Sequence, residues 1–180
     1  IIVNKPAPLP IHPSGRFNRN TLHYLLSQIY HPQKLRFAHR LDANTSGLVI
    51  VCRKRSVASK VQPQFESQTV EKIYLAKIHG HPNWDFMKCD APIASEPAEV
   101  GSRSVADIGL AAVTEFRVVA RLPDETSCVE IRPLTGRTNQ IRIHSRHLNH
   151  PVVGDPLYHA GPLLGEHQTL EIDASPMCLH

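Results

Sequence analysis

The chain has 180 residues, 41% hydrophobic and 20% charged, with a formal net charge of +4. These values fit one soluble globular domain and exclude a disordered or low-complexity chain. No apolar run approaches the ~20 residues a bilayer helix needs and no signal-peptide pattern opens the chain, so no membrane is expected. Four scattered cysteines without a CxxC pair argue for a reducing, cytoplasmic setting over a disulfide framework.

The charge is unevenly spread. Residues 1–62 carry a balance of +9, residues 63–130 one of −5, residues 131–160 one of +3 and residues 161–180 one of −3. Two basic segments separated by an acidic one would make a positive face for phosphate-bearing partners if folding joined them. A merely solvating surface is the equal alternative at this point.

In chain order, residues 1–3 read as a strand, stopped by a proline-rich segment through Pro13 that excludes helix and central strand. Ser14-Gly15 reads as a turn. Leu22, Leu25, Leu26 and Ile29 fall at i, i+3, i+4 and i+7, which predicts a helix over 21–30 with Asn20 as N-cap. Residues 36–46 read as a loop and 47–52 as a buried strand. A helix over about 57–68 starts from Ser56, with Val57, Val61 and Phe65 one turn apart; Pro63 predicts a kink or two pieces. Lys72–His79 reads as a strand with Ile73, Leu75 and Ile78 on apolar positions. Residues 80–110 are irregular, with short strands near 91–94. Ala112–Ala120 and Thr126–Ile131 form a hairpin around Pro123-Asp124, and a helix over about 138–148, with Ile141 and Leu148 inward, ends at Pro151. The strand-rich, mixed order predicts an α+β fold. The chain opens inside an apolar run without Met and closes on Met177-Cys178-Leu179-His180, as if entering a strand, so an excerpt of a longer protein is expected.

Among residues that carry chemistry, Asp42 stands out as the only acid in the first 62 positions, in the loop His39-Arg40-Leu41-Asp42-Ala43-Asn44-Thr45-Ser46-Gly47 ahead of the 47–52 strand. It reads either as a reactive carboxylate or as an ordinary turn residue. His144, His147 and His150 with Asp155 have spacing for a metal site. His147 and His150 straddle a helix end among arginines, however, and no HExxH is present. No GxSxG, GxxxxGK[ST] or GxGxxG occurs, so neither a serine nucleophile nor a nucleotide cofactor is supported.

The loop around Asp42 closely resembles the HRLDxxTSG motif of the RluA-type pseudouridine synthases. Four other stretches resemble that family in the same order. Asn4-Lys5-Pro6 through His12-Pro13 resembles its opening motif, and Glu71-Lys72-Ile73-Tyr74-Leu75-Ala76 its KxYxA strand. Thr135-Gly136-Arg137-Thr138-Asn139-Gln140-Ile141-Arg142-Ile143-His144 resembles TGRTHQIRVH, and His150-Pro151-Val152-Val153-Gly154-Asp155-Pro156-Leu157-Tyr158 resembles GHPIxGDxxY. The chain departs from the family at Asn139 (usually His), at Asn149 (usually Gly) and at Pro63.

The resemblance implies the pseudouridine synthase fold, a mixed, largely antiparallel sheet flanked by helices and loops with a catalytic cleft across it. It implies a cofactor-free, metal-free isomerase that turns uridines of ribosomal or transfer RNA into pseudouridine after flipping them out of the stack. Asp42 would be the nucleophile, Arg142 its ion-pair partner, and Tyr74 the ring that stacks on the flipped base. Arg40 would fill the vacated place, His39 support the loop, and Thr45, Arg53, Lys54, Arg137 and Gln140 contact RNA. A monomer without obligatory protein partners is expected. The rival functions are an RNA-binding module without catalysis and a histidine-metal hydrolase.

Overall fold

In the computed structural model, which describes residues 1–13, 17–98, 101–159, 164–165, 169–170 and 174–180, the apolar run after the Asp42 loop becomes the middle strand of a small sheet. The predicted turn at Ser14-Gly15 lies outside the described residues. The chain divides into two compact units, Ile1–Val70 and Glu71–His180, and both mix helix with antiparallel sheet as the α+β reading requires.

In the first unit the sheet order is β1(Ile2–Lys5), β3(Gly47–Cys52), β2(Arg36–Phe37), antiparallel throughout, with Lys5 opposite Gly47 and Phe37 opposite Val51. The strand β2 lies in what the sequence presented as loop. In β3, Val49 and Val51 are fully buried, whereas Leu48 between them is 60% exposed. The run is therefore apolar on both faces but buried on one, as antiparallel sheets permit.

Helix α1 spans Leu22–Ile29 and its N-cap is Thr21, whose hydroxyl accepts from Tyr24 N at 3.2 Å. Asn20 has no such role. The proline-rich segment supplies two further acceptors for the helix start, Pro10 O for Leu22 N and Ile11 O for His23 N, so the orphan donors of the first turn are satisfied. Leu22 and Leu26 are buried, but Leu25 and Ile29 are exposed. Helix α2 spans Arg55–Glu66 with Lys54, not Ser56, at its N-cap, and it runs through Pro63 unbroken. Proline removes a single hydrogen bond there. The last turn is held by Ser67, which donates to Pro63 O from both backbone and side chain, and the face is anchored on either side of the proline by Gln62, donating to Phe37 O, and by Phe65, stacked on His39.

The second unit has the sheet order β4(Tyr74–His79), β7(Thr126–Pro133), β6(Thr114–Leu122), β5(Phe86–Cys89), all antiparallel. The β6–β7 hairpin forms where predicted, with Glu125 at φ 55° in its turn. Strand β5 was not legible, and near 91–94 only Ile93 pairs, bridging to Val105 and Leu110. Along β4 the inward residues are Ala76 and Ile78, while Ile73 and Leu75 are half exposed, so the apolar assignment holds only at Ile78. The chain end lies along the other side of β4: Leu75 N donates to His180 O at 2.8 Å and Lys77 N to Cys178 O at 3.0 Å.

Helix α3, Gln140–His147, is buried on almost every side. It packs Ile141 with Phe116, Ile131 and Val129 in the core. Asn139 precedes it in left-handed conformation, and Asn149 closes it at φ 62°, two residues before the expected stop at Pro151. Among the described residues no helix is long and apolar enough to cross a membrane.

Candidate active site

The nucleophile candidate is carried by the first unit. Thr45 N donates to the backbone carbonyl of Asp42 at 3.2 Å, so Asp42 does open a turn, and its side chain is half-buried. Asn44 and Thr45 are buried beneath it. His39 stacks on Phe65 with centroids 4.4 Å apart and 13° between planes, and its Nε2 accepts from Ile50 N at 3.2 Å. An accepting Nε2 places the proton on Nδ1, which fits a loop-supporting neutral ring.

Below the loop lies a residue whose part the sequence reading missed. Lys5 is 0% exposed, and its ammonium donates to Pro6 O, Leu9 O and Ala43 O at 3.0, 2.9 and 3.1 Å. All three donors are used, and they tie β1 to the Asp42 loop. The signal was available: β1 alternates, so Lys5 shares the inward face with Val3. Burial pushes the Lys5 amine down to about 8, with the charge of Asp42 opposing the shift. Between about pH 8 and the ordinary value of 10.5 the unfolded chain holds a proton that the folded one has released, so this group makes stability rise with pH across that window. The full change amounts to about 3 kcal/mol. Urea titrations at pH 7.5 and 10 are expected to show wild type gaining on Lys5→Met; a gap that stays constant would contradict the shift.

Arg40 is exposed. The His12 ring lies below the ordinary histidine range, chiefly through desolvation, then through the charges of His23 and Arg40. Arg53 donates to Gln33 Oε1 at 2.8 Å and lies over Tyr30 at 5.7 Å. Together with exposed Lys54 it puts positive charge at the start of α2, whose first turn has no acid. Cations there oppose the helix dipole, so the cluster suits an anionic partner better than it suits the helix.

The second unit carries Tyr74 and Arg142. Tyr74 opens β4 opposite Ile131 and packs against the core, partly buried. Arg142 is 2% exposed, far from the surface arginine its helix pattern suggests. Its Nε and Nη2 donate to Asp155 Oδ2 and Oδ1, each at 2.7 Å, and its Nη1 donates to Asn139 Oδ1 at 2.9 Å. The guanidinium lies over the Tyr158 ring at 5.0 Å. Asp155 Oδ1 accepts in addition from Leu157 N and Tyr158 N, both at 2.9 Å. A buried ion pair survives desolvation only with such supplementary hydrogen bonds.

Gln140 and Thr45, read as RNA contacts, are instead buried. Gln140 Oε1 accepts from Thr135 Oγ1 and Arg137 N, and its Nε2 donates to Val113 O and Thr114 Oγ1. It staples the 135–137 turn to β6. Arg137 is partly exposed and donates to Ala111 O. The suspected metal set is dispersed: His144 bonds Thr114 Oγ1 and Ala91 O, His150 bonds His79 O, and Asp155 holds Arg142. No group of three metal-capable side chains occurs among the described residues.

The RNA pseudouridylate synthase family matches residues 1–147, and the chain belongs to it. It is 34% identical over 168 residues to human pseudouridylate synthase RPUSD2, a match covering 92% of this chain and 31% of that protein. It is 32% identical over 158 residues to ribosomal large subunit pseudouridine synthase C of Vibrio cholerae, covering 88% of this chain and 50% of that protein. The solved structure of human RNA pseudouridylate synthase domain containing 1 superposes with a TM-score of 0.77 and 26% identity, over 99% of this chain and 71% of that one. The chain thus spans 31% and 50% of the lengths of these two curated relatives. The RluA-type resemblance and the α+β class are borne out.

Proposed function

We propose that the chain carries a single catalytic domain that isomerises uridine in structured RNA to pseudouridine. The observation that carries this reading is the family match over residues 1–147, because that span includes Asp42, Tyr74 and Arg142, each within its motif. The C1′–N1 bond of the uridine breaks, a C1′–C5 bond forms, C5 gives up a proton and N1 gains one. No net oxidation occurs, so the reaction needs no redox cofactor.

In this reading Asp42 is the nucleophile. Arg142 is the cationic member of the set, a guanidinium whose charge favours an ionised carboxylate against the effect of desolvation. Tyr74 stacks on the extruded base, worth about 1–3 kcal/mol towards the cost of flipping. Arg40 takes the vacated place in the stack, and His39 keeps the loop in shape. Arg53, Lys54 and Arg137 meet phosphates, while Thr45 and Gln140 hold their turns. The protein acts as a monomer in the cytoplasm, away from membranes, on ribosomal or transfer RNA; the ribosomal name of the Vibrio cholerae relative favours the former.

Pseudouridine mapping in total RNA from cells with and without the protein tests this. At least one site is expected to vanish on deletion and return on re-expression. An unchanged map would overturn the assignment.

A further inference from the structure

Arg142 is held more completely than packing requires. A buried ion pair adds little stability over a well-packed apolar pair, but a two-point fork fixes both position and plane of a guanidinium. Here the fork is made by Asp155, whose carboxylate is itself fixed by the backbone N–H groups of Leu157 and Tyr158. A third side comes from Asn139 Oδ1 and a lid from the Tyr158 ring. Asn139 can serve because it sits in left-handed backbone, at φ 56°, just before α3, a conformation asparagine adopts more readily than most residues. Tyr158 is held in turn, its hydroxyl accepting from Arg103 N at 2.9 Å.

We propose that Asp155 is a positioning residue for the reaction: it sets the plane of the Arg142 guanidinium, with Asn139 and Tyr158 as the other walls of the clamp. This rests on the role given to Arg142 above. A clamp of this kind removes the rotamer freedom of the arginine before substrate arrives. Its loss therefore falls on turnover and not on RNA binding.

The test uses the full-length protein and tritium release from an in vitro transcript of its mapped target RNA labelled at uridine C5. Asp155→Asn keeps an oxygen for Leu157 and Tyr158 N–H but loses the charge and the second acceptor for the fork. It is expected to lower kcat about 10²-fold, the scale of a misplaced catalytic group, with KM for the RNA unchanged. In an Arg142→Lys background the same substitution is expected to cost almost nothing further, since an ammonium has no fork to align. Asn139→Gly, which tolerates the left-handed backbone, is the second probe should Asp155→Asn fail to fold. It is expected to lower kcat about tenfold at unchanged KM, the worth of one hydrogen bond to a charged group.

Unchanged kcat per folded molecule in both variants, or losses that multiply in the Asp155→Asn/Arg142→Lys protein, would overturn the clamp while leaving the parent reading intact. Full kcat in Arg142→Lys alone would overturn the role of Arg142, and the clamp with it.

Discussion

Replacing Asp42 with alanine is expected to lower pseudouridine formation by at least about 10⁴-fold, because losing a nucleophile leaves only binding and electrostatic assistance. RNA affinity is expected to stay close to that of wild type, since in the proposed reading phosphate attraction belongs to exposed cations such as Arg53 and Lys54. The fold gives this variant a fair chance. It is the backbone carbonyl of Asp42 that receives Thr45 N, so the turn keeps that bond with an alanine. The buried ammonium under the loop would lose a favourable charge, as Asp42 is what counters the burial of Lys5. The Lys5 amine should therefore titrate lower in the variant than in wild type. Tritium release reads the first effect and filter binding the second. A product yield equal to wild type would remove Asp42 from the chemistry, and a parallel loss of binding would make it an RNA contact instead.

Arg142→Met is expected to be the most damaging single substitution for the second unit. It leaves the Asp155 carboxylate fully buried without its cation, and breaking such a pair from one side costs about 3–5 kcal/mol. The two backbone N–H bonds to Asp155 persist in the variant and keep the loss from being larger. Urea denaturation checks the figure. Joining Asp155→Leu to Arg142→Met is expected to recover part of the stability, because the unpaired charge is gone, but none of the turnover. A variant as stable as wild type would mean that the pair adds nothing to folding, and catalysis by Arg142→Met at the wild-type rate would remove the arginine from the reaction.

The sequence was most legible where one face of an element repeats without conflict. The β6–β7 hairpin and β3 follow directly from apolar runs bounded by turn residues. It was less legible where an element is apolar on both sides: Ile73 and Leu75 of the β4 region outnumber Ala76 by hydrophobicity, yet the small residue is the one buried. The helix through Pro63 shows tertiary anchors overriding a local breaker, since Gln62 and Phe65 are both fastened to the rest of the unit. For the site, motif order singled out Asp42, Tyr74 and Arg142 as candidates, but residue type misled on the burial of polar side chains. Lys5, Gln140 and Arg142 look like surface residues and are buried. Each is buried because it satisfies backbone carbonyls or a carboxylate at long sequence separation, a pairing that no local pattern reveals.

The segment 178–180 along β4 has a bearing on handling the protein. With His180 and Cys178 bonded to Leu75 and Lys77, the strand that begins at Tyr74 has neighbours on both sides. A shortened form ending before Met177 would strip the neighbour of its first half, leaving half-exposed Leu75 on an open edge while Pro151 and Val153 still border Lys77–His79. Such an edge recruits strands from other molecules. Aggregation of a trimmed protein would then follow from a lost border strand and would say nothing about the catalytic residues.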